Sequence, residues 1–276
     1  MEVSKLYDAN QRHRLANGHA ASGIGLAVAK RLIASQKWHV HILDFNTTRG
    51  KDAITTLGKL STFHKTNVAS YDSVGSSFSD VFQESKRIDF VFANAGIPES
   101  TDFFKNGTSK DVSKLPPPPN MDCIDVTLGG IINTSQIAAH FFRHSPQSDD
   151  SPRALVITAS CVSLYASGFL PIYTASKHGV LGFMRAIAAR LNADDGIRVN
   201  ALLPGTVKTN MMPDEQWEKF PESHFTPVET CVDVVVDLVE SQDVGMAVET
   251  SGKNVYVREQ VEFCDEIAEA ILGKSQ

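Results

Sequence analysis

The stretch QRHRLANGHAASGIGLAVAK (residues 11–30) decides how this chain is read. Its second half, Ser22-Gly23-Ile24-Gly25-Leu26-Ala27, has the small residues of a strand-to-helix turn that admits phosphate oxygens. Glycines let backbone approach an anion, and a helix N-terminus offers N–H donors and a favourable dipole. Asp44 follows Gly25 by 19 residues, at the end of the apolar run WHVHILD (38–44). A carboxylate there accepts hydrogen bonds from an adenosine ribose and repels a 2′-phosphate, which points to NAD in preference to NADP. The first half fits less well. It opens Gln11-Arg12-His13-Arg14, where a parallel sheet would place a central strand buried on both faces. Burying an unpaired arginine costs on the order of several kcal/mol, comparable with a domain's net stability of about 5–15 kcal/mol. The expectation is an atypical segment over 1–19 and a doubtful first strand. Three explanations stay open: a divergent chain with a frayed strand, a truncated or alternative reading of a gene, or basic side chains that reach solvent.

Outward from this turn, short apolar runs alternate with longer helical stretches. Strands are expected at 38–44, 61–68, 88–96, 153–160, 197–205 and 253–257. Helices are expected at 23–36, 47–59, 70–85, 120–144, 172–192, 228–240 and 259–272. This alternation predicts an α/β fold: a Rossmann-type, doubly wound parallel sheet of about seven strands with helices on both faces. No repeat or change of composition divides the chain, so one domain is expected over 1–276. Residues 97–119, which end in the four prolines 116–119, predict an exposed loop over the carboxyl edge of the sheet. Ligands bind at that edge in such folds.

Bulk properties narrow the partners. A formal net charge of −6 offers no basic footprint for nucleic acid or anionic lipid and favours small molecules. Cys123, Cys161, Cys231 and Cys264 form no CxxC, which predicts free thiols in a reducing compartment. The N-terminus has no apolar signal core, so a cytoplasmic protein is expected. Between Arg153 and Lys177 no residue is charged, yet Thr158, Ser160, Ser163, Gly168 and Pro171 make this a buried strand plus loop, not a membrane span. His140 and His144 have a metal-like spacing but no evident third ligand, and no metal is expected. GKS at 273–275 lacks the upstream glycine of a phosphate loop and reads as a polar tail.

The chemistry concentrates in VITASCVSLYASGFLPIYTASKHGVLGF. Tyr173 and Lys177 are four apart and share one helix face, and Ser160 lies thirteen residues before Tyr173 at a strand end. A phenol with a pKa near ~10 is a poor acid/base at neutral pH, and a nearby ammonium favours its phenolate form. The serine hydroxyl can then hold a substrate oxygen while the tyrosine passes the proton.

The ordered set of glycine turn, Asp44, Ser160, Tyr173 and Lys177 resembles the short-chain dehydrogenase/reductase family, in its branch resembling NAD-dependent 15-hydroxyprostaglandin dehydrogenase. The resemblance runs from Ser22 over almost the whole chain. It implies hydride transfer between a secondary alcohol or ketone and NAD(H), with a role in specialised (secondary) metabolism. Tyr173 would be the acid/base, Ser160 the oxygen anchor, and Lys177 a ribose ligand that lowers the tyrosine pKa. Asn94-Ala95-Gly96 looks like the motif closing around the adenine ribose, and Asn67-Val68 like the pair contacting adenine, where the family usually has Asp-Val. Pro204-Gly205-Thr206-Val207, with Thr209, looks like the segment clasping the nicotinamide amide. Two departures stand out. Thr127 replaces the asparagine that holds a relay water and fixes a local helix distortion, so a weakened relay is expected. The GxxxGxG spacing puts His19 at the first glycine position, with Gly18 one residue early. Homodimers or homotetramers are implied by resemblance. The rival reading is a family scaffold without redox turnover, either a non-redox isomerase or cyclase or a binding protein.

Overall fold

The computed structural model describes residues 12–17, 20–105, 111–146 and 153–273, and of 12–17 the backbone alone. The amino-terminal half runs β1 (Arg12–Asn17), α1 (Gly23–Ala34), β2 (Trp38–Asp44), α2 (Thr47–Leu57), β3 (Ser61–Lys65), α3 (Tyr71–Ser85) and β4 (Phe90–Ala93). Next come α4 (Asp122–Ile124), a widened π turn (Asp125–Gly129), α5 (Gly130–His144), β5 (Ala154–Thr158), α6 (Pro171–Asp195) and β6 (Arg198–Pro204). The remainder holds α7 (Asp214–Trp217), α8 (Val228–Glu240), β7 (Ala247–Ser251), β8 (Asn254–Val257) and α9 (Glu266–Leu272).

The strands form one sheet in the order β3-β2-β1-β4-β5-β6-β7-β8. Every pairing is parallel except β7 with β8. Alternation along each strand builds two cores. Phe90 and Phe92 of β4 join Val28, Val40, Ile42 and Val235 on the face covered by α1, α2 and α8. Val91 and Ala93 join Phe78, Ile131, Phe142 and Met184 under α3, α5 and α6. Strands buried on both faces are rich in apolar residues, as β4 (FVFA) and β5 (ALVIT) are. The chain reverses direction across the sheet between β1 and β4, and a crevice opens beyond the strand ends there.

Three expectations need correction. The doubtful first strand is a full central strand: β1 pairs with β2 from Arg12↔Trp38 to Asn17↔Leu43, and with β4 from Arg14↔Phe90 to Asn17↔Ala93. Among the described residues the sheet has eight strands, because β7 was not expected and the run at 253–257 is its antiparallel edge partner β8. The helix expected over 120–144 is interrupted by the π turn, which brings Thr127 to full burial. Elsewhere the 97–119 segment has no helix or strand among its described residues, and its prolines 116–119 are exposed while Pro98 is half-buried. All four cysteines are free thiols. Among the described residues no helix is long and apolar enough to cross a membrane.

Candidate active site

The crevice is a cavity of about 270 Å³ between the α1 N-terminus and the first turns of α6. Ser22, Gly23 and Ile24 line one end. Gly23 adopts φ +53°, where only glycine is unstrained, and a Cβ there would come within 3.1 Å of Thr209 Cγ2. Ser22 precedes the helix in extended conformation without capping it through its side chain. Helix N–H groups therefore face the cavity, the arrangement that receives an anion. Gly25 is buried in the same turn of α1. Gly18 and His19 lie outside the described residues.

Asp44 is buried at the end of β2 and does not line the cavity. Its Oδ2 accepts the Ala21 N–H at 3.2 Å and its Oδ1 the Asn46 N–H at 2.8 Å. The acid thus holds the phosphate-type turn from behind, which pattern reading did not foresee. Asn67 and Val68 also sit apart from the cavity. Asn67 Oδ1 accepts the Ala69 N–H at 3.2 Å, while buried Val68 packs on Gly130, where a Cβ would meet Val68 Cγ2 at 2.7 Å.

On the other side, Asn94 and Gly96 line the cavity and Ala95 is buried between them. Asn94 Oδ1 accepts from the Thr158 hydroxyl at 2.8 Å. Gly96 lets two side chains close in: a Cβ would lie 3.4 Å from Lys177 Nζ and 3.6 Å from Thr127 Oγ1. Thr127 does not line the cavity. Its hydroxyl accepts the Ile97 N–H at 3.1 Å and donates to the Ile97 carbonyl at 3.3 Å. The helix distortion expected of an asparagine at this position is present with threonine, held by both polar groups of Ile97.

Ser160, Tyr173 and Lys177 converge on the same cavity. Ser160 follows β5, where its Oγ accepts the Val162 N–H at 3.3 Å, and its hydroxyl lies near enough to the Tyr173 phenol to favour the phenolate. Pro171 starts α6 at a position that needs no N–H donor, and Tyr173 follows in the first turn. Glu99 Oε2 accepts the Tyr173 N–H at 2.8 Å, tying the loop after β4 to this helix end. One turn on, Lys177 Nζ donates to the Thr158 carbonyl at 2.8 Å and lies 5.8 Å from the Tyr173 ring centroid. Burial dominates the electrostatics. It pushes the Tyr173 phenol well above its ordinary range, with the Ser160 contact pulling the other way, and lowers Lys177 to about 7. The expected lowering of the tyrosine by the lysine is not what the protein alone produces, because desolvation favours the neutral form of both groups.

The segment after β6 closes the site. Pro204, Gly205, Thr206, Val207 and Thr209 all line the cavity. Gly205 passes so near β7 that a Cβ would lie 2.7 Å from the Thr250 carbonyl oxygen. Thr209 O accepts from Trp217 Nε1 at 2.9 Å, and Trp217, Phe220 and Phe225 form an aromatic cluster. Met211, Met212, Trp217 and Phe220 form one apolar wall, with Val162 and Leu170 opposite. The sequence places substrate-selecting walls in the 97–119 loop, after Ser160 and in the 207–227 region; the first contributes Pro98 to the lining, the second Cys161, Val162 and Leu170, and the third the four residues of the apolar wall.

A family model described as short chain dehydrogenase matches residues 19–220. The chain belongs to the short-chain dehydrogenase/reductase family. It is 40% identical over 264 residues to the short-chain dehydrogenase/reductase prx7 of Penicillium rubens, covering 88% of this chain and 93% of that protein. Human 15-hydroxyprostaglandin dehydrogenase [NAD(+)] is 25% identical over 206 residues, covering 72% of this chain and 70% of the relative. Among solved structures, the 3-ketoacyl-(acyl-carrier-protein) reductase of Brucella melitensis complexed with NADH superposes with a TM-score of 0.71 at 18% identity, covering 88% of this chain and 98% of that one. That likeness shows the fold. The chain is thus an oxidoreductase-family protein with a Rossmann-type sheet, and such enzymes take nicotinamide cofactors and small-molecule substrates.

Proposed function

We propose that this short-chain dehydrogenase/reductase interconverts a secondary alcohol and a ketone with NAD(H), on a substrate with a largely apolar body. The observation that carries this reading is the meeting of Ser160, Tyr173 and Lys177 in one cavity with the α1 N-terminus. The residues fit a nicotinamide dinucleotide. Gly23 and Gly96 leave room at the cavity that a Cβ would take, and helix N–H groups face that space. The diphosphate would lie at Ser22–Ile24, the adenosine end towards Asp44, Asn67-Val68 and Asn94–Gly96, and the nicotinamide beside Pro204–Thr209. The cofactor supplies hydride chemistry when bound. The acid turning the end of β2 supports NAD in preference to NADP.

The remaining chemistry belongs to this chain. Ser160 Oγ holds the substrate oxygen, and the Tyr173 hydroxyl in the same cavity gives or takes that oxygen's proton. Lys177 approaches the ring from the next helical turn, and its charged form stabilises a phenolate. The wall of Met211, Met212, Trp217 and Phe220 excludes water and receives the apolar body. A role in specialised metabolism, a cytoplasmic location and assembly as a homodimer or homotetramer complete the proposal, supported by the family and its fungal relatives.

Fluorescence titration of purified protein with NADH tests the cofactor half of this reading. Tyr173→Phe tests the chemistry: it should leave NADH binding intact and lower kcat by about 10²–10⁴-fold on a reactive apolar ketone. Folded protein that binds no NADH would instead support the scaffold without redox turnover.

A further inference from the structure

Three side chains far apart in sequence converge at the open edge of the sheet, on elements that do not line the active-site cavity. His41 comes from β2, His64 from the edge strand β3, and Glu84 from the last turn of α3. His41 Nδ1 and His64 Nε2 are 3.2 Å apart. One ligating atom from each of His41, His64 and Glu84 lies within 4.8 Å of the other two. We propose that these three residues form a binding site for a zinc-class divalent transition metal, which clips β3 to β2 and α3.

The donor chemistry and the spacing both support this assignment. Two imidazole nitrogens and a carboxylate oxygen are a zinc donor set, with a fourth position left for water. With Zn–N bonds of about 2.0–2.1 Å, two ligands of a tetrahedral ion sit about 3.3 Å apart, close to the observed nitrogen separation. Glu84 is exposed on a long side chain, and its carboxylate supplies the oxygen of the set. The strand register explains the convergence. His41 pairs with Thr62 and Leu43 with His64, so both imidazoles stand on the α3 face of the sheet. Leu43 joins the core on that face, and imidazoles take the place of aliphatic side chains further along. His39 supports the cluster without completing it: its Nε2 meets Thr62 Oγ1 at 3.0 Å, and its ring centroid lies 4.8 Å from that of His41. The other histidine pair is a poorer candidate. His144 Nδ1 meets the His140 carbonyl at 2.8 Å, which occupies that nitrogen.

The site is independent of the redox reading, and its role is structural. β3 leads directly into Asn67 and Val68, so a metal clip would stiffen the strand that carries the adenine side of the crevice. The test uses the full chain stripped with EDTA and titrated with zinc, followed by metal analysis after desalting. One zinc per chain should be retained, and a hundredfold excess over Kd should raise Tm by about 5 °C. His64→Gln and Glu84→Gln should each weaken zinc binding at least tenfold, while His140→Ala/His144→Ala leaves it unchanged. Cobalt substitution should give the strong visible bands of a tetrahedral site, a readout that stands if His64→Gln fails to fold. Failure to retain zinc would overturn the proposal. Retention that survives His64→Gln, or is lost with the His140/His144 pair, would overturn it equally.

Discussion

Lys177 is 2% exposed, and burial lowers it from 10.5 to about 7. Its positive form is therefore held in the fold at a cost. At about 1.4 kcal/mol per tenfold change in proton affinity, that cost is on the order of 5 kcal/mol wherever the unfolded chain and the folded protein both carry the proton. This condition holds below about pH 7. Between about pH 7 and 10.5 the unfolded chain binds a proton that the folded protein has released, so stability rises with pH across this window. Lys177→Met keeps the length of the side chain and removes the charge. It also removes the donor to the Thr158 carbonyl, at a cost of about 2 kcal/mol. The variant should then be more stable than the parent by about 3 kcal/mol at pH 6, and the advantage should vanish near pH 9. Urea denaturation of both proteins at pH 6.0, 7.5 and 9.0 measures the difference, because every other titrating group is common to both. Turnover should be lost in the same variant. A Lys177→Met protein less stable than the parent by the same margin at all three pH values would refute the reasoning, since the ammonium would then carry no burial cost.

Two further substitutions probe the walls of the crevice. Gly205→Ala places a Cβ 2.7 Å from the Thr250 carbonyl oxygen, a backbone atom in the sheet that cannot swing away. It should destabilise the protein by about 1–3 kcal/mol and weaken NADH binding; an unchanged melting temperature would show that β6 and β7 part easily. Thr127→Asn restores the amide that the family usually carries at the π turn, and it should raise kcat. If kcat is unchanged although the protein folds, this position does not limit the rate.

Where residue type alone is decisive, the sequence is legible. The glycine turn, the acid ending β2 and the Tyr173–Lys177 spacing each follow from a local requirement: a positive φ, a strand end, one helix face. Strand β7 was not legible because its sequence AVETS looks polar. In the fold Glu249 is buried, accepting from the Arg258 guanidinium at 2.6 Å and the Tyr165 hydroxyl at 3.2 Å, the latter 84 residues away in sequence. Partners that distant leave no trace in a window of ten residues. The same holds for Asp44, whose grip on the Ala21 N–H depends on how β1 and β2 align, and for His41, His64 and Glu84, which three separate elements bring together. Spacing placed the lysine next to the tyrosine but carried no information on burial, and burial reverses the expected direction of the tyrosine's shift.

The first strand shows why a polar sequence does not forbid a central position. Side-chain composition argues against RHRLAN between two apolar neighbours, yet a parallel ladder is made by backbone groups that every residue but proline carries. β2 and β4 are both well specified by their own apolar residues, Val40, Ile42 and Leu43 in one and Phe90 to Ala93 in the other, all buried. Without a strand between them, each would leave a row of N–H and C=O groups inside the sheet, at about 1–3 kcal/mol per unsatisfied group. Six residues of β1, in register with both neighbours, offset a penalty larger than the several kcal/mol that one buried, unpaired arginine would add. The ladder therefore sets where this segment lies.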